Sequence, residues 1–171
     1  MIEWYDDKDL TIKFSDTPHV CIRYILPTHT DSEKKSIEKY PFICKTELKV
    51  ALVNKAIKQK GTKAISSLHS NTLMPQFPKT YTFTIPKGYC YDGATIPRLF
   101  WRLIGANTDN RFLIAALVHD VLCENHNYVD NNRYFANKVF ERLLYVSDVP
   151  AFNRWLMFHS VDNWQKFCGW G

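Results

Sequence analysis

Residues Asn110 to Glu124 read NRFLIAALVHDVLCE, and this stretch decides the fold. Its apolar residues do not keep to one stripe, so the spacing predicts a helix buried at the centre of the molecule. The uninterrupted apolar run, Phe112 to Val118, has seven residues, where a membrane span needs about twenty. Downstream, Asp130 or Asn131 can cap a second helix whose apolar residues (Phe135, Ala136, Val139, Phe140, Leu143, Leu144) follow helical spacing. Val149 to Cys168 predicts a last amphipathic helix, with Trp155, Phe158, Trp164 and Phe167 read as core. Upstream, Pro97 can open a short helix, PRLFWRLIG, stopped by Gly105.

Before residue 87 the texture is that of strands. Leu10 to Phe14 (LTIKF), His19 to Leu26 (HVCIRYIL) and Thr80 to Pro86 (TYTFTIP) carry β-branched and aromatic residues. Thr28 to Pro41 is polar and charged and reads as an exposed loop, and Ser66 to Pro78 as another. Phe42 to Lys60 fits either a strand (FICKTELKVALV) or a short helix (VALVNKAIKQKG) ended by Gly61. The expected class is α+β: an N-terminal antiparallel β-sheet, then three to four helices packed on it. Residues 1–171 are expected to form one domain, strands and loops to 87 and helices from 88.

Composition narrows the function classes. A hydrophobic fraction of 46% with 15% aromatic residues excludes a disordered chain. The net charge of +5 is mild, and no basic face stands out as a nucleic-acid footprint, so nucleic acid is not an expected partner. Twelve of the fifteen lysines precede residue 80 and six of the seven arginines follow residue 90, as for a solvated first half and an Arg-braced second half. Five scattered cysteines without a CxxC pair argue against a disulfide framework or a zinc ribbon. The opening MIEWYDDKDL is acidic where a Sec signal peptide is basic then apolar, so a reducing cytoplasm is the expected location; carriage out of a cell inside a larger particle would need no such signal.

His119-Asp120, set in the apolar helix, is the sharpest anomaly. A carboxylate there is costly to bury unless paired, protonated or bound to a cation. A histidine suits proton transfer near neutral pH or metal ligation, with its second ring nitrogen held by a carboxylate or carbonyl. Partners can come from the bend Tyr91-Asp92-Gly93-Ala94-Thr95-Ile96-Pro97, where Asp92 and Thr95 could project into a cleft. They can also come from Arg133 and Asn137, four apart on the next helix. A structural reading is open for each residue: Asp120 paired with Arg133, Asp92 closing an Asx turn, His119 donating to a backbone carbonyl. No P-loop, GxGxxG or GxSxG is present.

The combination GYCYDGATIPRLFW, AALVHDVLCEN and NNRYFANKVFERLL resembles a bacterial and phage family known as domain of unknown function thirteen fifty-three. The likeness runs from about Pro86 to Leu144 and implies a phage or prophage origin. Asp92, Gly93, Ala94, Ile96, Pro97, His119, Asp120, Arg133, Ala136 and Phe140 match its pattern. Thr95 stands where the family has Ser, and Asn137 where it has Asp. A looser likeness is to bacterial secreted phospholipases, in which such a histidine activates water, the adjacent aspartate holds calcium and a second acid orients the ring. His119, Asp120 and Asn137 could take those roles.

Two functions are therefore expected. The first is a phage-encoded accessory protein, assembled with other phage structural proteins in the tail or baseplate region, with a structural or vestigial His-Asp cluster. The alternative is a small hydrolase acting on peptidoglycan or lipid of the cell envelope. In it His119 would be general base, and Asp92 and Asp120 would bind a divalent cation or orient that base; Thr95, Arg133 and Asn137 would bind.

Overall fold

The structure, a computed structural model, describes residues 2–6, 10–54, 80–93, 110–124 and 133–167. The protein is α+β, and its chain divides into two compact units. The first comprises residues 1–17 and 48–84 and is built on a four-stranded sheet. Its strands are β1 (Ile2–Asp6), β2 (Leu10–Phe14), β5 (Leu48–Asn54) and β6 (Thr80–Ile85), in the order β1-β2-β5-β6. β2 pairs antiparallel with β1 and with β5, Ile12 opposite Leu52 and Phe14 opposite Val50. These four side chains are buried, as expected of apolar residues facing one another across a ladder. The stretch that fits either a strand or a helix thus holds two strands, Phe42–Cys44 and Leu48–Asn54, separated by residues 45–47; residues 55–60, the tail of the alternative helix, lie outside the described residues.

The second unit comprises residues 18–47 and 85–171. Its antiparallel sheet joins β3 (Val20–Ile22), β4 (Phe42–Cys44) and β7 (Cys90–Tyr91) in the order β3-β4-β7. Where the sequence leads one to expect a single sheet, the described strands form two.

Thr28 to Pro41 is not a loop. It contains helix α1 (Asp31–Lys39), opened by a capping box in which the Thr30 hydroxyl accepts from the Glu33 N–H while the Glu33 carboxylate accepts from the Thr30 N–H. Polarity misleads here because only Ile37 is buried, so the helix carries almost no apolar stripe. Arg23 donates to the carbonyl of Tyr40 at the helix's far end.

Among the described residues three further helices follow: α2 (Asn110–Glu124), α3 (Arg133–Val146) and α4 (Ala151–Phe167). Nine α2 residues between Phe112 and Leu122 are buried, which is why its sequence shows no polar face. α3 packs against both α2 and α4, burying Phe135, Val139, Phe140, Leu143 and Leu144. β7 meets α2 through the buried Tyr91 hydroxyl, which donates to the Leu113 carbonyl at 2.9 Å.

One expectation fails on α4. Trp155, Trp164 and Phe167 are exposed and Phe158 is half-buried, so these aromatics are not core. The inward stripe is Met157, Val161 and Gln165, one residue every four, and the aromatic positions fall beside it. No helix among the described residues is long and apolar enough to cross a membrane. The short helix expected at 97–105 and the loop at 66–78 lie outside the described residues.

Candidate functional site

The site is assembled from α2, α3, α4 and the bend after β7, all within the second unit. His119, 7% exposed, sits on α2 with its ring against Phe140 of α3 at a centroid distance of 5.1 Å. Its Nε2 lies 2.9 Å from Oδ1 of Asn137, a residue with no exposed surface. The Asn137 amide cannot be reversed without loss, because its Nδ2 donates to Asp162 Oδ1 at 3.2 Å, and a carboxylate only accepts. Asn137 Oδ1 is consequently the acceptor, and His119 Nε2 carries the proton. Lys166, one turn beyond Asp162, closes the series with a 2.7 Å ion pair to its other oxygen.

With Nε2 protonated, Nδ1 of the neutral ring is the basic nitrogen. It lies 3.6 Å from Asp120 Oδ1 and 3.7 Å from the Cys123 sulfur. Asp120 and Cys123 form part of the wall of a cleft of about 210 Å³, completed by Tyr40, Tyr89, Tyr91, Asp92 and Glu124. His119 thus stands directly behind two cleft residues.

Electrostatics follow from this crowding of acids. Burial pushes the Asp120 carboxyl well above the usual carboxylate range, and the Asp92 and Glu124 charges add to it. A hydrogen bond between Asp92 and Asp120, which requires a shared proton, acts the same way. Burial by itself would lower the His119 value; Cys123, Asn137 and Asp92 outweigh it and hold the imidazole above its ordinary value. The Tyr89 and Tyr91 phenols are pushed far up, first by burial and then by Glu124 and Asp120 respectively.

Gly93 explains how Asp92 reaches the cleft. Its φ is +86°, and a Cβ there would fall 2.5 Å from Phe42 Cε2, so the backbone passes too close to the β4 ring for any side chain.

The structure brings together Asp92, His119, Asp120 and Asn137. Thr95 lies outside the described residues, and so does the side chain of Arg133. Asp92 and Asp120 meet at the cleft, but among the described residues no group of three or more His, Cys, Asp or Glu side chains is arranged to hold a metal ion. Three participants escape sequence reasoning: Cys123, Asp162 and Gln165. Gln165, 8% exposed, directs Nε2 to the Cys123 sulfur at 3.3 Å and lies 3.2 Å from His119 Nε2. Cys123 has a sequence signal, four residues after His119 on one helix; the other two come from α4, about forty residues or more away.

Fold and site together define an α+β protein that holds an oriented, buried histidine beneath an acidic, tyrosine-lined cleft. Residues 69–161, more than half of the chain, match the family described as "Protein of unknown function (DUF1353)", and the chain belongs to that family. It is also similar to "Uncharacterized protein y4jT" of Sinorhizobium fredii (strain NBRC 101917 / NGR234), 38% identical over 47 residues. That match covers 28% of this chain and 14% of the relative, so the likeness concerns a small part of a longer protein. No solved structure matches.

Proposed function

We propose that this protein is a small hydrolase acting on a cell-envelope substrate, peptidoglycan or lipid, with His119 as its general base. The observation that carries this reading is the series Lys166–Asp162–Asn137–His119, which fixes the proton on Nε2 and leaves Nδ1 basic behind the cleft wall. A general base needs that orientation together with a value near the working pH, and positioned proton transfer contributes about 10²–10⁴-fold in rate. Asn137 in place of an acid does not leave the ring without support, since Asp162 stands one hydrogen bond further back. This favours a working base over a vestigial one.

The test is hydrolysis of purified peptidoglycan and of envelope lipid vesicles by the wild type and by His119→Gln, with folding checked by circular dichroism. A loss of about 10²-fold or more is expected. Equal turnover in both proteins ends the proposal.

A second reading is a phage accessory protein assembled onto a neighbouring structural protein of the particle. The exposed aromatics of α4, Phe152, Trp155, Trp164 and Phe167, favour it, being costly to leave in water. Mass spectrometry of purified particles tests it, and absence of the protein from them refutes it.

A further inference from the structure

We propose that Cys123 is the nucleophile of this site, and that with His119 and Asn137 it acts on an acyl substrate, an amide or ester of a carboxylic acid. The inference rests on the hydrolase reading above and replaces a water nucleophile with a thiol. A thiol, an imidazole and a carboxamide orienting the ring recur on unrelated folds as one solution to acyl transfer. Here the three meet in the required order. Asn137 occupies Nε2, and the sulfur lies 3.7 Å from Nδ1, the nitrogen that has a lone pair to offer. The sulfur is also 3.5 Å from Nε2, so it lies within reach of both ring nitrogens. Cys123 lines the cleft while His119 does not, which puts the nucleophile, and not the base, where substrate arrives.

Gln165 is the independent second observation. It is more than nine-tenths buried, its Oε1 has no hydrogen-bond partner among the described residues, and its Nε2 is 3.3 Å from the sulfur. The amide Nε2 donates to the sulfur and holds it against the imidazole.

The steps balance without an oxidant or cofactor. The Cys123 proton passes to His119 Nδ1, and the thiolate attacks the substrate carbonyl carbon. The negative charge passes to the substrate carbonyl oxygen. The intermediate collapses, the carbon–nitrogen or carbon–oxygen bond breaks, and the amine or alcohol leaves with the Nδ1 proton. Water, giving a proton to Nδ1, then attacks the thioester; the acid departs, and the thiolate recovers that proton.

The experiment is alkylation of the full chain by limiting iodoacetamide, read cysteine by cysteine by peptide mass spectrometry, with the exposed Cys21 as internal reference. Cys123, although less accessible, is expected to react at least tenfold faster than Cys21, and His119→Gln to abolish that excess. An acetyl adduct on Cys123 is expected after a brief pulse of p-nitrophenyl acetate. A Cys123 rate at or below that of Cys21, or one unchanged in His119→Gln, overturns the inference. Cys123→Ala separates the two proposals. If it still hydrolyses envelope substrate while His119→Gln does not, the thiol role falls and the hydrolase stands. If both variants retain activity, both fall; if both lose it, both are supported.

Discussion

Replacing Asp120 with Asn probes the electrostatics of the cleft wall in a way that stability measurements can read. Asp120 keeps only a fifth of its side chain exposed and shares a hydrogen bond with Asp92, so its folded-state value lies well above that of an unfolded aspartate, about 3.9. Between those two values the folded protein holds a proton that the unfolded chain has released. Stability must then fall as pH rises through that window, by at most about 1.4 kcal/mol per pH unit for one proton. His119 acts in the same direction but higher: raised above its ordinary value, its contribution is full below about pH 6.5 and disappears above that. The amide introduced by Asp120→Asn would mimic the protonated acid, donating to Asp92 from its nitrogen, and it has nothing to ionise. Urea unfolding of wild type and Asp120→Asn at half-unit steps from pH 3.5 to 8 gives the difference directly. The two proteins should agree at the acidic end, and the variant should gain stability steadily over the wild type as pH rises above about 4. A difference that stays constant with pH, or a wild type that gains on the variant, would refute the shared-proton account of the cleft.

Three further outcomes follow from the same geometry. Asn137→Asp should destabilise by about 1–3 kcal/mol, because two acids would then face each other where an amide donor is needed; adding Asp162→Asn should recover most of it, and a double-mutant cycle with no coupling would contradict the series. Gly93→Ala should cost about 1–3 kcal/mol in thermal or urea unfolding through its positive φ, with the Phe42 contact adding to it; an unchanged midpoint would mean the bend is not constrained as described. Thr30→Ala should cost about 1 kcal/mol by removing the capping box of α1, and an unaffected midpoint would show that this helix does not depend on its cap.

How much of this is legible in the sequence varies with the physics of each element. β2 and α2 can be read with their observed boundaries, because strict alternation in LTIKF and all-round apolarity in NRFLIAALV leave little choice. α1 cannot, since a helix with one buried residue has no hydrophobic stripe to find. Its signal is the Thr30-x-x-Glu33 pair, a capping signature that works without burial. On α4, aromatic residues at helical spacing look like core, yet the residue that turns inward to the site is Gln165. Hydrophobicity ranks Trp164 above Gln165 for burial; the packed stripe of Met157 and Val161 decides otherwise, and a buried glutamine then needs polar neighbours, which His119 and Cys123 supply.

Asn137 shows why a site can be located in sequence while its chemistry is misjudged. Read alone, an amide rather than an acid beside a histidine looks like a missing charge and a weakened base. In the folded chain a carboxylate does stand behind the amide: Asp162, paired with Lys166. An acid at 137 could accept from His119 but could offer nothing to Asp162, whereas the amide accepts on one side and donates on the other. Asn137 and Asp162 are a matched pair, and either residue is intelligible only with the other in view. The pair fixes the histidine tautomer more firmly than a lone carboxylate would, since reversing the amide would break two hydrogen bonds at once. That directional lock leaves Nδ1, 3.7 Å from the Cys123 sulfur and behind the cleft wall, as the basic nitrogen of the neutral ring.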